Sequence, residues 1–327
     1  MDKKIKVAFI YKSNYKFLTG EYFDKSLHYF FMYALKRNKR IIVSYFPCKD
    51  IFDVSKVSNF DIILLSSDGL EGTPNLIGIK ECTLPVICRI GDPHSAEKLK
   101  RFQYQEKWNI DCCFGIVHPN KFYEYYPKKC NYKTILVGVE PNEYVNPTPF
   151  EHRFKEKILL TGLTGRPTLT ARLVNKVFKS LYSGWYFYNL RSKCRLLPYV
   201  FHNTMIDNGY KLLADTYPKT LFKFRASIAA STPLPTIKYW EIPAAGCLTF
   251  MEMTKQNMAD FLGFKDGENS VYINNKNYKK KFMEYLSDVD NPKWKEIADN
   301  GREYVMKNIN NDIAVDSLVD LMEEYLK

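Results

Sequence analysis

Short apolar runs that recur along the chain limit its fold more than any other feature. Lys4–Tyr11 (KIKVAFIY), Arg40–Phe46, Ile62–Ser66 (IILLS), Pro85–Ile90 (PVICRI), Cys112–Val117 and Thr134–Val137 (TILV) each hold only a few residues. Runs of that length, apolar nearly throughout, read as strands buried on both faces. Polar loops or helical patterns separate them. In Phe23–Arg37, residues Phe23, Leu27, Phe30, Phe31 and Ala34 recur at helical spacing. Strands alternating with such segments predict an α/β fold, a parallel sheet with helices on both faces. Ligands of such sheets bind outside the carboxyl ends of the strands. The loops concerned are 11–14, 66–69, 91–94 and 118–120.

The same rhythm resumes after Pro141–Pro149, a proline-rich stretch without periodicity that reads as a linker. Lys157–Thr161 (KILLT) starts a second sheet and runs into Gly162-Leu163-Thr164-Gly165-Arg166-Pro167. A helix is expected over Thr170–Leu181 and a strand is one reading of Trp185–Tyr188. Residues 189–216 are aromatic and basic without a clear period, apart from a helix expected over Gly209–Asp215. Strands follow at Ala226–Ala230, Cys247–Phe250 and Ser270–Ile273. Amphipathic helices close the chain at Tyr278–Leu286, Trp294–Asn308 and Asp312–Leu326. A length of 327 residues suits two domains. The expected division is 1–145, 150–310, and a C-terminal helix at 311–327 packing back on the first domain.

The net charge of +12 is uneven. Residues 151–240 hold 15 Lys/Arg against 4 Asp/Glu, whereas residues 241–327 hold 11 against 16. A basic middle points to an anionic ligand or surface, such as a phosphorylated carrier lipid at a membrane. The basic residues are spread singly among apolar ones and no nucleic-acid motif is present, so nucleic acid is not the expected partner. Eight cysteines show no CxxC spacing and the five histidines form no HxxxH pair, which argues for reduced core thiols and against a metal site. No run approaches the length of a membrane span. A cytoplasmic protein, at most peripheral to a membrane, is the expectation.

Lys238-Tyr239-Trp240-Glu241-Ile242-Pro243-Ala244-Ala245-Gly246 leads into Cys247–Phe250. It reads as a short helix, a glycine stop and an inner strand. Lys238 and Glu241 are three apart and share a helix face. A carboxylate there can accept two hydrogen bonds from the vicinal hydroxyls of a ribose. The alternative is a plain helix C-cap feeding a core strand.

Three stretches carry a resemblance. Ile135-Leu136-Val137-Gly138-Val139-Glu140, with Tyr144 and Pro147, resembles the segment closing the first domain of GT-B glycosyltransferases of the GT4 type. Ile158–Gly162 looks like the first strand of their second domain. Lys238–Phe250 resembles the family's Glu-Ala-x-Ala-x-Gly box. Gly263–Asn269, followed by a strand and three helices, is similar to the spore-protein (CgeB-like) branch. The resemblance covers most of 134–327; the first 130 residues agree only in rhythm.

It implies two Rossmann-like domains facing a cleft, with a nucleotide-sugar donor held mainly by the second. Glu241 takes the position of the carboxylate on the donor ribose, Gly246 the box glycine, and Gly162 the glycine near the diphosphate. Arg166 or Arg172 would supply positive charge to the leaving diphosphate, and Lys238 is a further candidate. The implied activity is sugar transfer to a glycan, a lipid-linked or another hydroxyl acceptor, retaining and without metal. No cofactor is implied, since the nucleotide sugar is a substrate. The sequence departs from the pattern at Pro233, where the family carries a second glutamate, and at Gly91-Asp92, where it carries His-Asp. The phosphate-side basic pair has only Lys219, Lys223 and Arg225 nearby. Asp92 and His94 remain the catalytic candidates: either they face the acceptor hydroxyl, or Asp92-Pro93 merely starts a helix. The rivals are a nucleotide-sugar epimerase of the same fold and a non-catalytic GT-B-like binding module.

Overall fold

The structure, a computed structural model, describes residues 3–15, 18, 30–164, 188–203 and 216–327. The chain divides into two compact units, Met1–Glu140 with Asn310–Lys327, and Pro141–Ile309.

Unit 1 contains β1 (Ile5–Lys12), β2 (Ile41–Cys48), β3 (Ile51–Asp53), β4 (Ile62–Leu65), β5 (Asn75–Ile77), β6 (Val86–Arg89), β7 (Cys112–Gly115) and β8 (Tyr132–Thr134). Six of them form one parallel sheet in the order β2-β1-β4-β6-β7-β8, while β3 and β5 pair separately. The central strands are apolar throughout because both faces are covered: all of β4 and all of β7 are buried. Phe30, Phe31 and Leu35 pack on one face together with Val315, Leu318 and Met322 of the C-terminal helix, Asn311–Tyr325. That helix starts on an Asn310 side chain accepting from the Asp312 and Ile313 amides. Buried Asn311 is held by the Gly138 amide at 2.9 Å and donates its own amide to the Val139 carbonyl at 2.8 Å. Arg37 adds ion pairs to Glu140 and Asp312.

Unit 2 contains β9 (Phe154–Thr161), β10 (Val200–Asn203), β11 (Phe224–Ala229), β12 (Leu248–Glu252) and β13 (Val271–Ile273), all parallel, in the order β10-β9-β11-β12-β13. Ile158, Leu160, Ile228 and Phe250 meet Phe282, Tyr285 and Trp294 from the helices Tyr278–Leu286 and Pro292–Asn308. Bare Gly301 lets the longer of these helices come close to the Asn269 carbonyl and Pro243.

Several expected elements shift. The strand expected at Thr134–Val137 pairs instead at Tyr132–Thr134, and Ile135 and Val137 go into the core beyond it. The described part of the Phe23–Arg37 helix is a π turn, Phe30–Ala34, followed by a single α turn, Leu35–Arg37. The helices expected over 170–181 and 209–215 lie outside the described residues, as does all but Tyr188 of the strand considered at 185–188. Among the described residues no helix is long and apolar enough to cross a membrane.

Candidate functional site

In unit 2 the chain leaves β9 for β10 on one side and then returns to β11 on the other. The carboxyl ends of β9 and β11 are therefore the switch point at which such sheets bind ligands. Gly162 directly follows β9, and its φ of +86° lies in the left-handed region that favours glycine. A Cβ there would sit 3.2 Å from Lys238 Cε and 3.4 Å from Arg191 Nη1. The missing side chain thus lets two basic groups close over the turn.

Lys238 begins the helix Lys238–Ala244 that follows β11. Its ammonium donates to the Tyr217 hydroxyl at 3.3 Å and lies 4.5 Å from the centre of that ring. The Tyr217 hydroxyl is 3.0 Å from Thr161 Oγ1, at the end of β9. Glu241 is one turn further along the same helix, half-buried. Among the described residues its carboxylate has no hydrogen bond and no ion pair. Burial pushes the Glu241 carboxyl up, opposed by Lys238, and pushes the Lys238 ammonium down, opposed by Glu241. Both shifts have one cause: each charge is desolvated more than the other compensates.

Arg191, on the helix Asn189–Cys194, is 3% exposed. Its Nε and Nη2 donate to the Ala230 carbonyl at 3.0 and 2.6 Å, and its Nη1 to Leu163 O at 3.1 Å. One guanidinium therefore ties the loop after β9 to the end of β11 and places a positive charge beneath Gly162. Nothing in the sequence singled it out, because the loop it braces is 28 residues away. His202 Nε2, at the end of β10, donates to the Gly162 carbonyl at 3.1 Å. Glu252 ends β12 with 1% exposure, and its Oε2 meets no donor. Burial raises its carboxyl to about 7, with Arg191 and the Ser231 amide pulling it down.

Gly162, Lys238 and Glu241 are thus gathered at one edge. Gly246 is not: its φ of +69° ends the helix at the amino end of β12, where its carbonyl accepts from Arg153 at 2.7 Å. Arg225 is likewise spent on structure, bonding the Phe150, Glu151 and Val289 carbonyls and Asp290. Arg166 and Arg172 lie outside the described residues. Among the described residues no three His, Cys, Asp or Glu side chains cluster as metal ligands would.

In unit 1, Asp92 and His94 follow β6. Asp92-Pro93 does start a helix, but only the three-residue 3-10 turn Pro93–Ser95, and the Asp92 side chain makes no capping bond. His94 is half-buried, which lowers its pKa against the pull of Asp92. Gly91 has a steric reason: a Cβ there would overlap the Arg101 guanidinium. Arg101 crosses that space to reach fully buried Asp68 at 3.1 Å. Asp68 also accepts from the Gly91 amide at 3.0 Å and from the Tyr126 hydroxyl.

No protein-family model and no curated protein matches the sequence. Solved structures do match over nearly the whole chain. A glycosyltransferase from Rickettsia africae ESF-5 gives a TM-score of 0.59 at 11% identity, covering 99% of both chains. Anabaena HepE in complex with UDP-glucose gives 0.59 at 11% identity, covering 98% of this chain and all of the other. Sucrose-phosphate synthase from Thermosynechococcus elongatus gives 0.57 at 9% identity, covering 98% and 99%. The fold is GT-B. Within it the two units are the Rossmann-like halves, and the edge at Gly162, Lys238 and Glu241 belongs to the C-terminal one.

Proposed function

We propose that the protein is a glycosyltransferase of GT4-like, CgeB-like type whose unit 2 binds a nucleotide-sugar donor at the β9/β11 edge. The observation that carries this is the Glu241 carboxylate, half-buried and, among the described residues, without a hydrogen bond or ion pair, one turn from a lysine packed over Gly162. A desolvated, unpaired carboxylate is costly in a folded protein unless a ligand completes it. Two vicinal ribose hydroxyls would do so. Lys238 would meet the diphosphate directly, while Arg191, its donors occupied by carbonyls, would contribute its field. HepE, of the same fold, binds UDP-glucose, which supports a uridine diphosphate sugar as the first donor to try.

In the transfer, an acceptor hydroxyl oxygen bonds to the anomeric carbon as that carbon's bond to the β-phosphate breaks. The hydroxyl proton leaves with the nucleoside diphosphate. Charge growing on the diphosphate would be stabilised by Lys238 and by the field of Arg191. The reaction so proposed is retaining and metal-independent, with a glycan, lipid-linked or other hydroxyl acceptor bound by unit 1.

Incubation with UDP-glucose and a mixed pool of glycans, followed by mass spectrometry, tests it. Acceptor-dependent UDP release with a matching hexose gain on one acceptor is expected. Release of free nucleotide and sugar without any acceptor would instead favour an epimerase-type reaction. Binding without turnover on any acceptor would favour a binding module.

A further inference from the structure

Among the described residues of unit 1, one half-buried positive charge has no ion pair to balance it. Arg89 is the last residue of β6, at the carboxyl edge and one strand beyond the β1/β4 switch point of this sheet. Its side chain is half-buried, with the guanidinium 5.8 Å from the centre of the Phe31 ring. Among the described residues it makes no hydrogen bond and no ion pair. Tyr15, Asp92, Asp68 and Arg101 are the groups within electrostatic range.

Two of these are already committed. Asp68 accepts from Arg101, the Gly91 amide and the Tyr126 hydroxyl, so both of its oxygens are engaged. Arg101 pairs with Asp68 and Glu71. Asp92 is exposed and forms no ion pair with Arg89. The pair of arginines is therefore asymmetric: one is neutralised in the interior and the other is left facing the strand edge. A guanidinium is a planar fork that fits a carboxylate or phosphate with two parallel hydrogen bonds.

We propose that Arg89 forms an oxyanion subsite on unit 1, taking a carboxylate or phosphate carried by the acceptor sugar. This rests on the transferase reading for the word acceptor, though the anion site itself stands on unit 1 alone. The acceptor class it selects is an anionic sugar rather than a neutral one. Asp92, on the next turn of chain, would face the hydroxyls of the same sugar.

The test is calorimetric titration of the full chain, with UDP present in saturating amount, using glucuronate, glucose 6-phosphate and glucose. At least one anionic sugar should bind ten times more tightly than glucose or better. Arg89→Gln should remove that preference, and Arg89→Lys should restore part of it. Glucuronate alone would identify a carboxylate, glucose 6-phosphate alone a phosphate, and both together the shared oxyanion chemistry. Equal binding of all three, or a preference that survives Arg89→Gln, overturns the subsite. Thermal melting supplies the second measurement. Loss of an unbalanced charge should leave Arg89→Gln at least as stable as the parent; equal losses of stability in Arg89→Gln and Asp92→Asn would mean a structural ion pair instead. UDP failing to bind the parent would count against the donor reading and leave the Arg89-dependent preference to be read by itself.

Discussion

Replacing Glu252 by glutamine will remove a pH dependence that this carboxyl gives unit 2. Glu252 is 1% exposed, and burial raises it to about 7 from an ordinary 4.5. A carboxyl raised by folding holds its proton more tightly in the native state than in the unfolded chain. Its contribution to stability is whole below about pH 4.5, is lost as pH rises towards 7, and is gone above that. The interval is worth about 3 kcal/mol at 1.36 kcal/mol for each pH unit. Glutamine keeps the shape and cannot ionise. Its amide also lacks a partner at the Oε2 position, a cost present at every pH, so only the change with pH isolates the charge. The stability of Glu252→Gln relative to the parent should rise by about 2–3 kcal/mol between pH 5 and pH 8.5. Urea unfolding of both proteins at both pH values measures it. An unchanged difference would show that Glu252 titrates normally, with Arg191 and the Ser231 amide fully offsetting its burial.

The other predictions concern the two strand edges. A diphosphate beside Lys238 should push its burial-lowered pKa back up, so UDP binding at mildly alkaline pH should take up protons and weaken as pH rises further; titrations in two buffers of different ionisation enthalpy read this, and no proton uptake would separate Lys238 from the diphosphate. Gly162→Ala places a Cβ at positive φ against Lys238 and Arg191 and should cost about 1–2 kcal/mol of stability. UDP affinity should fall at least about tenfold, equivalent to about 1.4 kcal/mol; retained affinity would remove this loop from the site. Gly91→Ala should displace Arg101 from buried Asp68 and destabilise unit 1 by about 3–5 kcal/mol. A loss under about 1 kcal/mol in denaturant would mean that Arg101 relocates without leaving a buried charge.

What the sequence revealed and what it hid follow from how locally each feature is encoded. Ile62–Leu65 and Cys112–Gly115 are buried on both faces, so their apolar runs announce inner strands directly. Pro292–Asn308 is long and one-sided enough for its period to show. The β10 strand, Val200–Asn203, has one buried residue in four and sits at a sheet edge, so neither alternation nor an apolar run marks it. β8 failed in the opposite way: apolar Ile135 and Val137 belong to the core, but the ladder lies on polar Tyr132–Thr134 before them. Glu241 and Lys238 were readable because both sit on one helix face. Arg191 was not, since its meaning comes from two carbonyls, Leu163 and Ala230, far from it along the chain. Gly91 was readable only as a departure from a motif. Its reason, the passage of Arg101 to Asp68, exists only once the chain is folded.

The most direct measurement is the affinity of UDP for the parent and for Glu241→Ala by calorimetry, with melting temperatures taken on the same samples. Among the described residues the carboxylate has no hydrogen bond or ion pair to lose, and the lost attraction to Lys238 is offset by the relief of a buried charge, so the variant should melt within a few degrees of the parent. Two charge-assisted hydrogen bonds to ribose should vanish together, weakening UDP by about 3 kcal/mol or more, over a hundredfold. A variant that binds UDP as tightly as the parent, whatever its melting temperature, would contradict the assignment of this edge to the donor.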